Sequence, residues 1–116
     1  MSERAYAGLL KGGWRHLAFE PFGEGIEAHW LVKGGAGDPS AALLRYESGA
    51  SVPRHRHGGL ETILVLEGSQ SDETGDYEAG SLVLNAKGTE HSVHSKNGCV
   101  VFIQWDLPVI MLGDGI

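Results

Sequence analysis

Short apolar runs, closed at nearly regular spacing by glycine-bearing turns, constrain this chain more than any other feature. Eighteen of its 116 residues are glycine, about twice the usual share. The runs read as strands at about 27–33, 41–47, 51–57, 60–67, 77–85, 89–95 and 99–106. Turn signals lie between or within them: GGAGDPS at 34–40, SGA at 48–50, GS at 68–69, ETGD at 73–76, AGS at 79–81 and NG at 97–98. Seven or more short strands without a long helical period predict an all-β sandwich or barrel. The length fits one domain, and 41% apolar residues suffice for a core. The first ~25 residues carry Trp14, Phe19, Pro21 and Phe22 without a clear period. Residues 1–26 therefore read as an N-terminal extension packed on the barrel, and 27–116 as the barrel itself.

Charge narrows the partners. A formal net charge of −6 disfavours nucleic acid and anionic membranes, which select clustered Lys and Arg. No apolar run approaches the roughly 20 residues of a membrane-spanning helix. MSERAYAGLL shows no basic stretch followed by a long apolar run, so a cytoplasmic location is expected. The one cysteine, Cys99, opens the run CVVFIQW and reads as a small buried strand residue.

The six histidines carry the chemistry. Four fall in two tight pairs, His55 with His57 and His91 with His94. Alternation along a strand sends His55 and His57 to one side and Arg54 and Arg56 to the other, toward solvent or a subunit contact. Gly58-Gly59 then lets the chain turn before Glu61, which shares a face with Ile63 and Val65. A buried carboxylate there needs a partner. Two imidazoles and a carboxylate can converge on one point, and His91 in KGTEHSVH offers a fourth group. Such a set suits Zn²⁺, Fe²⁺, Mn²⁺, Ni²⁺ or Cu²⁺ rather than Ca²⁺. His94 turns away by alternation, and His16 and His29 read as ordinary. Tyr46, Phe102, Gln104 and Trp105 could line a pocket or fill the core.

The spacing Gly49, His55, His57, Glu61, Gly68 resembles the first motif of the cupins. Gly80, Gly88 and His91 stand at the spacing of the second, with Ala86 and Ser95 in place of its usual proline and asparagine. The stretch from Leu43 to Asn85, with GTEHSVHSKNGCVVFIQW after it, is similar to the cupin domain of ChrR-type anti-sigma factors and to small cupins that cleave β-diketones. The resemblance implies a jelly-roll barrel holding one divalent transition metal, with Zn²⁺ or Fe²⁺ foremost, on His55, His57, Glu61 and His91. It implies a small-molecule ligand or substrate. Three functions follow in order: an oxygen-dependent, dioxygenase-like enzyme; a non-catalytic zinc-binding sensor; a sugar isomerase or epimerase. Small cupins commonly pair, so a homodimer is expected. ChrR proteins grip a sigma factor through a separate zinc-binding domain. This sequence has no HxxxCxxC motif, which argues against direct sigma-factor binding.

Overall fold

The computed structural model describes residues 5–113. Ten strands follow one another: β1 (Glu20–Gly23), β2 (Ile26–Val32), β3 (Ser40–Tyr46), β4 (Ser51–Arg56), β5 (Glu61–Asp72), β6 (Gly75–Glu78), β7 (Leu82–Asn85), β8 (Glu90–His94), β9 (Cys99–Trp105) and β10 (Ile110–Met111). A three-residue 3₁₀ turn at Leu9–Lys11 is the one helical element among the described residues. None of their helices is long and apolar enough to cross a membrane.

All pairings are antiparallel and form two curled layers. One layer runs β1-β2-β3-β9-β5-β7, the other β10-β4-β8-β5-β6. Strand β5 belongs to both. Its first part pairs with β7 and β9, and Ser69–Asp72 pair with β6. This is the expected all-β jelly roll. Sharing a strand leaves the layers no way to separate, and the core fills the space between them. Ile26, Ala28, Ala42, Leu44, Ile63, Val65, Val93, Val101 and Ile103 are its buried members.

A second apolar cluster lies on the outer face of the first layer. Trp14 packs there on Leu43, Leu66 and Val100, with Leu9, Leu17 and Phe19 around it. Its indole Nε1 is buried without a hydrogen-bond partner among the described residues. The N-terminal segment thus shields strand positions that alternation turns outward.

Four departures from the expected strands matter. Strand β5 continues through Gly68, where a turn was expected. The ladder shifts between Val65 and Glu67, so Leu66 is an extra residue, a β-bulge. Gly68 takes φ +74°, and a side chain there would collide with the Gly98 carbonyl oxygen, so only glycine fits this crossing. The bulge reverses parity: Glu61, Ile63 and Val65 face inward before it, Gln70 and Asp72 after it. A second bulge, between Val52 and His55, holds Pro53, a residue that strands tolerate at such irregularities. The expected strand 77–85 is divided into β6 and β7 by the turn at 79–81. Strand β1 starts the first layer ahead of the expected 27–33 run.

Candidate metal centre

His55 lies on β4, His57 just beyond its end and His91 on β8. His55 and His91 are paired residues across the ladder, which places their side chains together on the inner face. His57 shares the side of His55 by alternation. Its backbone N–H donates to Thr89 O at 2.9 Å and its C=O accepts from the Gly88 N–H at 2.8 Å before the chain bends through Gly58-Gly59. A side chain at Gly58 would stand 2.6 Å from the Pro108 carbonyl oxygen, and one at Gly59 would stand 2.9 Å from Asp106 Cβ. Only bare backbone passes there. The three imidazoles are 4%, 2% and 7% exposed in that order, and their ligand atoms all lie within 4.8 Å of one another.

Each ring is held by its other nitrogen. His55 Nδ1 donates to the Pro53 carbonyl at 2.9 Å, so the β4 bulge supplies the acceptor that aims this ring. His91 Nδ1 donates to Asp72 Oδ2 at 3.0 Å. His57 Nδ1 lies 2.9 Å from Thr89 Oγ1, and that hydroxyl gives its only proton to Ala86 O at 2.6 Å. The hydroxyl must therefore accept from His57. When neutral, each ring carries its proton on Nδ1 and turns a bare Nε2 lone pair inward.

The consequence is electrostatic. His57 Nε2 and His91 Nε2 face each other at 3.2 Å, and in the neutral Nδ1–H forms these are two acceptors with no hydrogen between them. Burial, followed by the neighbouring His91, holds the His57 imidazole below its ordinary pKa, and burial does the same to His55. Protonation is thus disfavoured where a cation is needed. A transition ion answers that need. Metal–nitrogen bonds of about 2.0–2.1 Å at octahedral to tetrahedral angles separate two nitrogens by about 2.8–3.4 Å, and 3.2 Å falls in that range. The donor set fits a divalent transition metal.

Glu61 stands beside this cluster. It is 3% exposed, and its Oε1 lies 3.3 Å from His57 Nε2. The same oxygen accepts from Asn85 Nδ2 at 2.9 Å. Burial pushes the carboxyl above its usual range, opposed by the Asn85 hydrogen bond, His55, His91 and a hydrogen bond from Trp105. The three imidazoles form the tight group, and Glu61 touches it at His57.

The remaining expected residues lie elsewhere. Tyr46 is in the inner core, with Gln70 donating to its hydroxyl at 3.4 Å. Burial, ahead of Cys99 and Glu61, pushes that phenol well up. Phe102 packs into the outer cluster, and Gln104 donates to Asp106 at 2.8 Å. None of Tyr46, Phe102 and Gln104 lines either of two cavities. One, about 660 Å³, lies between Phe22–Ile26, Glu47–Pro53, Val109 and Met111. The other, about 200 Å³, is walled by Phe22, Trp30, Trp105 and Leu107–Val109. Arg54 and Arg56 face outward and pair with Glu90. Cys99 is buried, and burial raises its thiol to about 11. His94 is exposed on β8, and His29 donates to Ala18 O at 2.8 Å. Sequence reading missed Asp72, Asn85 and Thr89. Asn85 was findable, since β7 pairs it with Glu61.

A family model described as the ChrR cupin-like domain matches residues 13–106. The anti-sigma-E factor ChrR of Cereibacter sphaeroides is 35% identical over 98 residues, covering 83% of this chain and 43% of that protein. Among solved structures, the anti-sigma ChrR in complex with SigE from Rhodobacter sphaeroides matches at 30% identity and TM-score 0.69, over 78% of this chain and 49% of that one. An acetylacetone dioxygenase from Acinetobacter johnsonii matches at 18% identity and TM-score 0.76, over 83% and 72%, a likeness of fold. The chain spans about half the length of the ChrR relatives. They correct one expectation, the argument against direct sigma-factor binding. The curated relative is an anti-sigma factor, and the solved one is held on SigE. The expectation fails because a partner is recognised over a whole face by shape and charge. One missing ligand motif does not describe that face.

Proposed function

The chain belongs to the ChrR cupin-like family, and from that membership we propose that it is a metal-holding regulatory domain whose protein partner is a SigE-type sigma factor. His55, His57 and His91 would hold the ion, Zn²⁺ or Fe²⁺, with Glu61 as the fourth group. The observation that carries the metal reading is the pair of bare Nε2 atoms of His57 and His91 at 3.2 Å, fixed there by acceptors on Nδ1. When bound, the ion supplies the positive charge that the three lone pairs lack. The protein's part is orientation and exclusion of water, since all three rings and Glu61 are buried.

Two observations bear on a partner-binding role. Neither cavity is lined by His55, His57, Glu61 or His91. The net charge of −6 complements a DNA-binding partner, whose contact faces are basic. The partner itself comes from the likeness to ChrR and is tested directly. Calorimetric titration of the metal-loaded and metal-free chain with the SigE-type sigma factor of the same genome should give measurable binding. No binding in either form would overturn the regulatory reading.

One observation supports a second reading, a dioxygenase-like enzyme. Trp105 walls the 200 Å³ cavity and is the ladder partner of Glu61 between β5 and β9, so a small ligand in that slot is one side chain from the cluster. Metal analysis of protein expressed without supplement, then O₂ uptake with β-diketones after Fe²⁺ loading, separates the two. Tight zinc without uptake sinks the enzyme. Stoichiometric iron with uptake makes it the better reading.

A further inference from the structure

The carboxylate that serves His91 belongs to neither histidine motif. Asp72 ends β5 and opens the turn to β6. It faces inward only because the bulge at Leu66 reverses the strand's alternation. Its side chain is 8% exposed, and its Oδ2 lies 3.0 Å from His91 Nδ1. The other oxygen is occupied as well. Oδ1 accepts from the Thr74 backbone N–H at 2.8 Å and from the Thr74 hydroxyl at 2.6 Å. With its one proton spent on Asp72, the Thr74 hydroxyl accepts from the Tyr77 hydroxyl at 2.6 Å. Hydrogen bonds thus converge on Asp72, from Tyr77 through Thr74 on one side and from His91 on the other.

The three rings are not held alike. His55 rests on a carbonyl and His57 on a hydroxyl. Asp72 is the one carboxylate among the three acceptors. A charged acceptor on the far nitrogen fixes the tautomer most firmly and raises the donor strength of the near nitrogen most. Resting on the metal reading above, we propose that Asp72 is a positioning residue for the metal. It keeps the His91 proton on Nδ1, presents the Nε2 lone pair to the ion and is itself locked by the β5–β6 turn.

The test uses the full chain and the variants Asp72→Asn, Asp72→Ala, Thr74→Val and Glu78→Gln, the last an exposed carboxylate of the same hairpin. Long-range nitrogen NMR of the metal-free protein reads which His91 nitrogen carries the proton. Competition with a chromophoric chelator gives the Zn²⁺ Kd, and Co²⁺ absorption reports the coordination. Wild type should show the Nδ1–H form. Asp72→Ala should shift His91 toward Nε2–H, and both Asp72 variants should weaken Zn²⁺ binding by about 10- to 100-fold. Thr74→Val should lose less, and Glu78→Gln nothing. Wild-type Kd, spectrum and tautomer in both Asp72 variants would overturn the proposal. If Asp72→Ala does not fold, the isosteric Asn variant decides by Kd and Co²⁺ spectrum. If wild type binds neither Zn²⁺ nor Fe²⁺, the metal reading fails and this role with it, while the metal-free NMR still reads whether Asp72 sets the His91 tautomer.

Discussion

Asn85 donates to the Glu61 carboxylate at 2.9 Å across the β5–β7 ladder, where the two are paired residues. The edge strand thereby reaches into the cluster. Removing this donor leaves a buried carboxylate less satisfied. Asn85→Ala should cost about 1–3 kcal/mol in urea denaturation of the metal-free chain. Asn85→Asp, which sets a second carboxylate beside Glu61, should cost more. Wild-type stability in both would mean that the contact carries nothing.

Occupancy should be visible as stability. An ion that binds only the folded chain stabilises it by about 2.7 kcal/mol at a hundred times its Kd. Thermal unfolding should therefore move up with Zn²⁺ and return with EDTA. His55→Ala and His91→Ala should abolish the shift. An unchanged shift in both would remove the cluster as its source.

Acid should act through the imidazoles. Burial holds His55 and His57 below the ordinary histidine range, whereas in the unfolded chain they take up protons at about pH 6.5. Stability of the metal-free chain should be full above that value and fall as pH drops below it, because the unfolded state binds more protons. Glu61, raised by burial, works in the opposite sense, so the loss should reflect two imidazoles less one carboxyl. Asp72 feels burial, which raises it, but the Thr74 and His91 hydrogen bonds outweigh this and hold it low. Its contribution should be full above about pH 4 and be lost as pH falls below it. Metal-dependent stabilisation should fade in the imidazole window too, since the ligands must be neutral. Melting curves with EDTA and with Zn²⁺ between pH 5 and 8 check both. A metal-free chain that grows more stable from pH 7 to 6 would contradict the sign.

The bend after His57 should tolerate no side chain. Gly59→Ala would press on Asp106 Cβ and on the Leu107 amide nitrogen at 3.2 Å. The neighbouring β9–β10 loop must give way or His57 must move. Loss of Zn²⁺ affinity at nearly unchanged secondary structure, read by chelator competition and circular dichroism, is the expected result.

Much of this was legible in the sequence, and the failures have distinct causes. Period-two alternation located the strands and brought His55, His57, Glu61 and His91 to one face, because inward residues of antiparallel neighbours must meet. It failed where parity breaks. Counting by twos from Glu61 points Asp72 outward, and nothing in LVLEGSQ marks Leu66 as an extra residue. The glycine at 68 read as a turn, yet its left-handed backbone serves a close crossing within a continuous strand. Phe102 and Gln104 sat in an apolar run that looked like a pocket wall. They face the outer side, which the N-terminal segment covers in part, and that cover has no periodic signature. The argument from a missing motif was overturned by the anti-sigma relatives, because a motif says nothing about a surface.

The bulge at Leu66 makes β5 a ruler as well as a strand. Deleting one residue between Val65 and Gly68 would restore plain alternation and swing Asp72 to the outer face, while Glu61, upstream, stayed in place. The two acidic groups beside the imidazoles are therefore tied to a residue count. In this stretch, insertions and deletions test the site more severely than any single replacement.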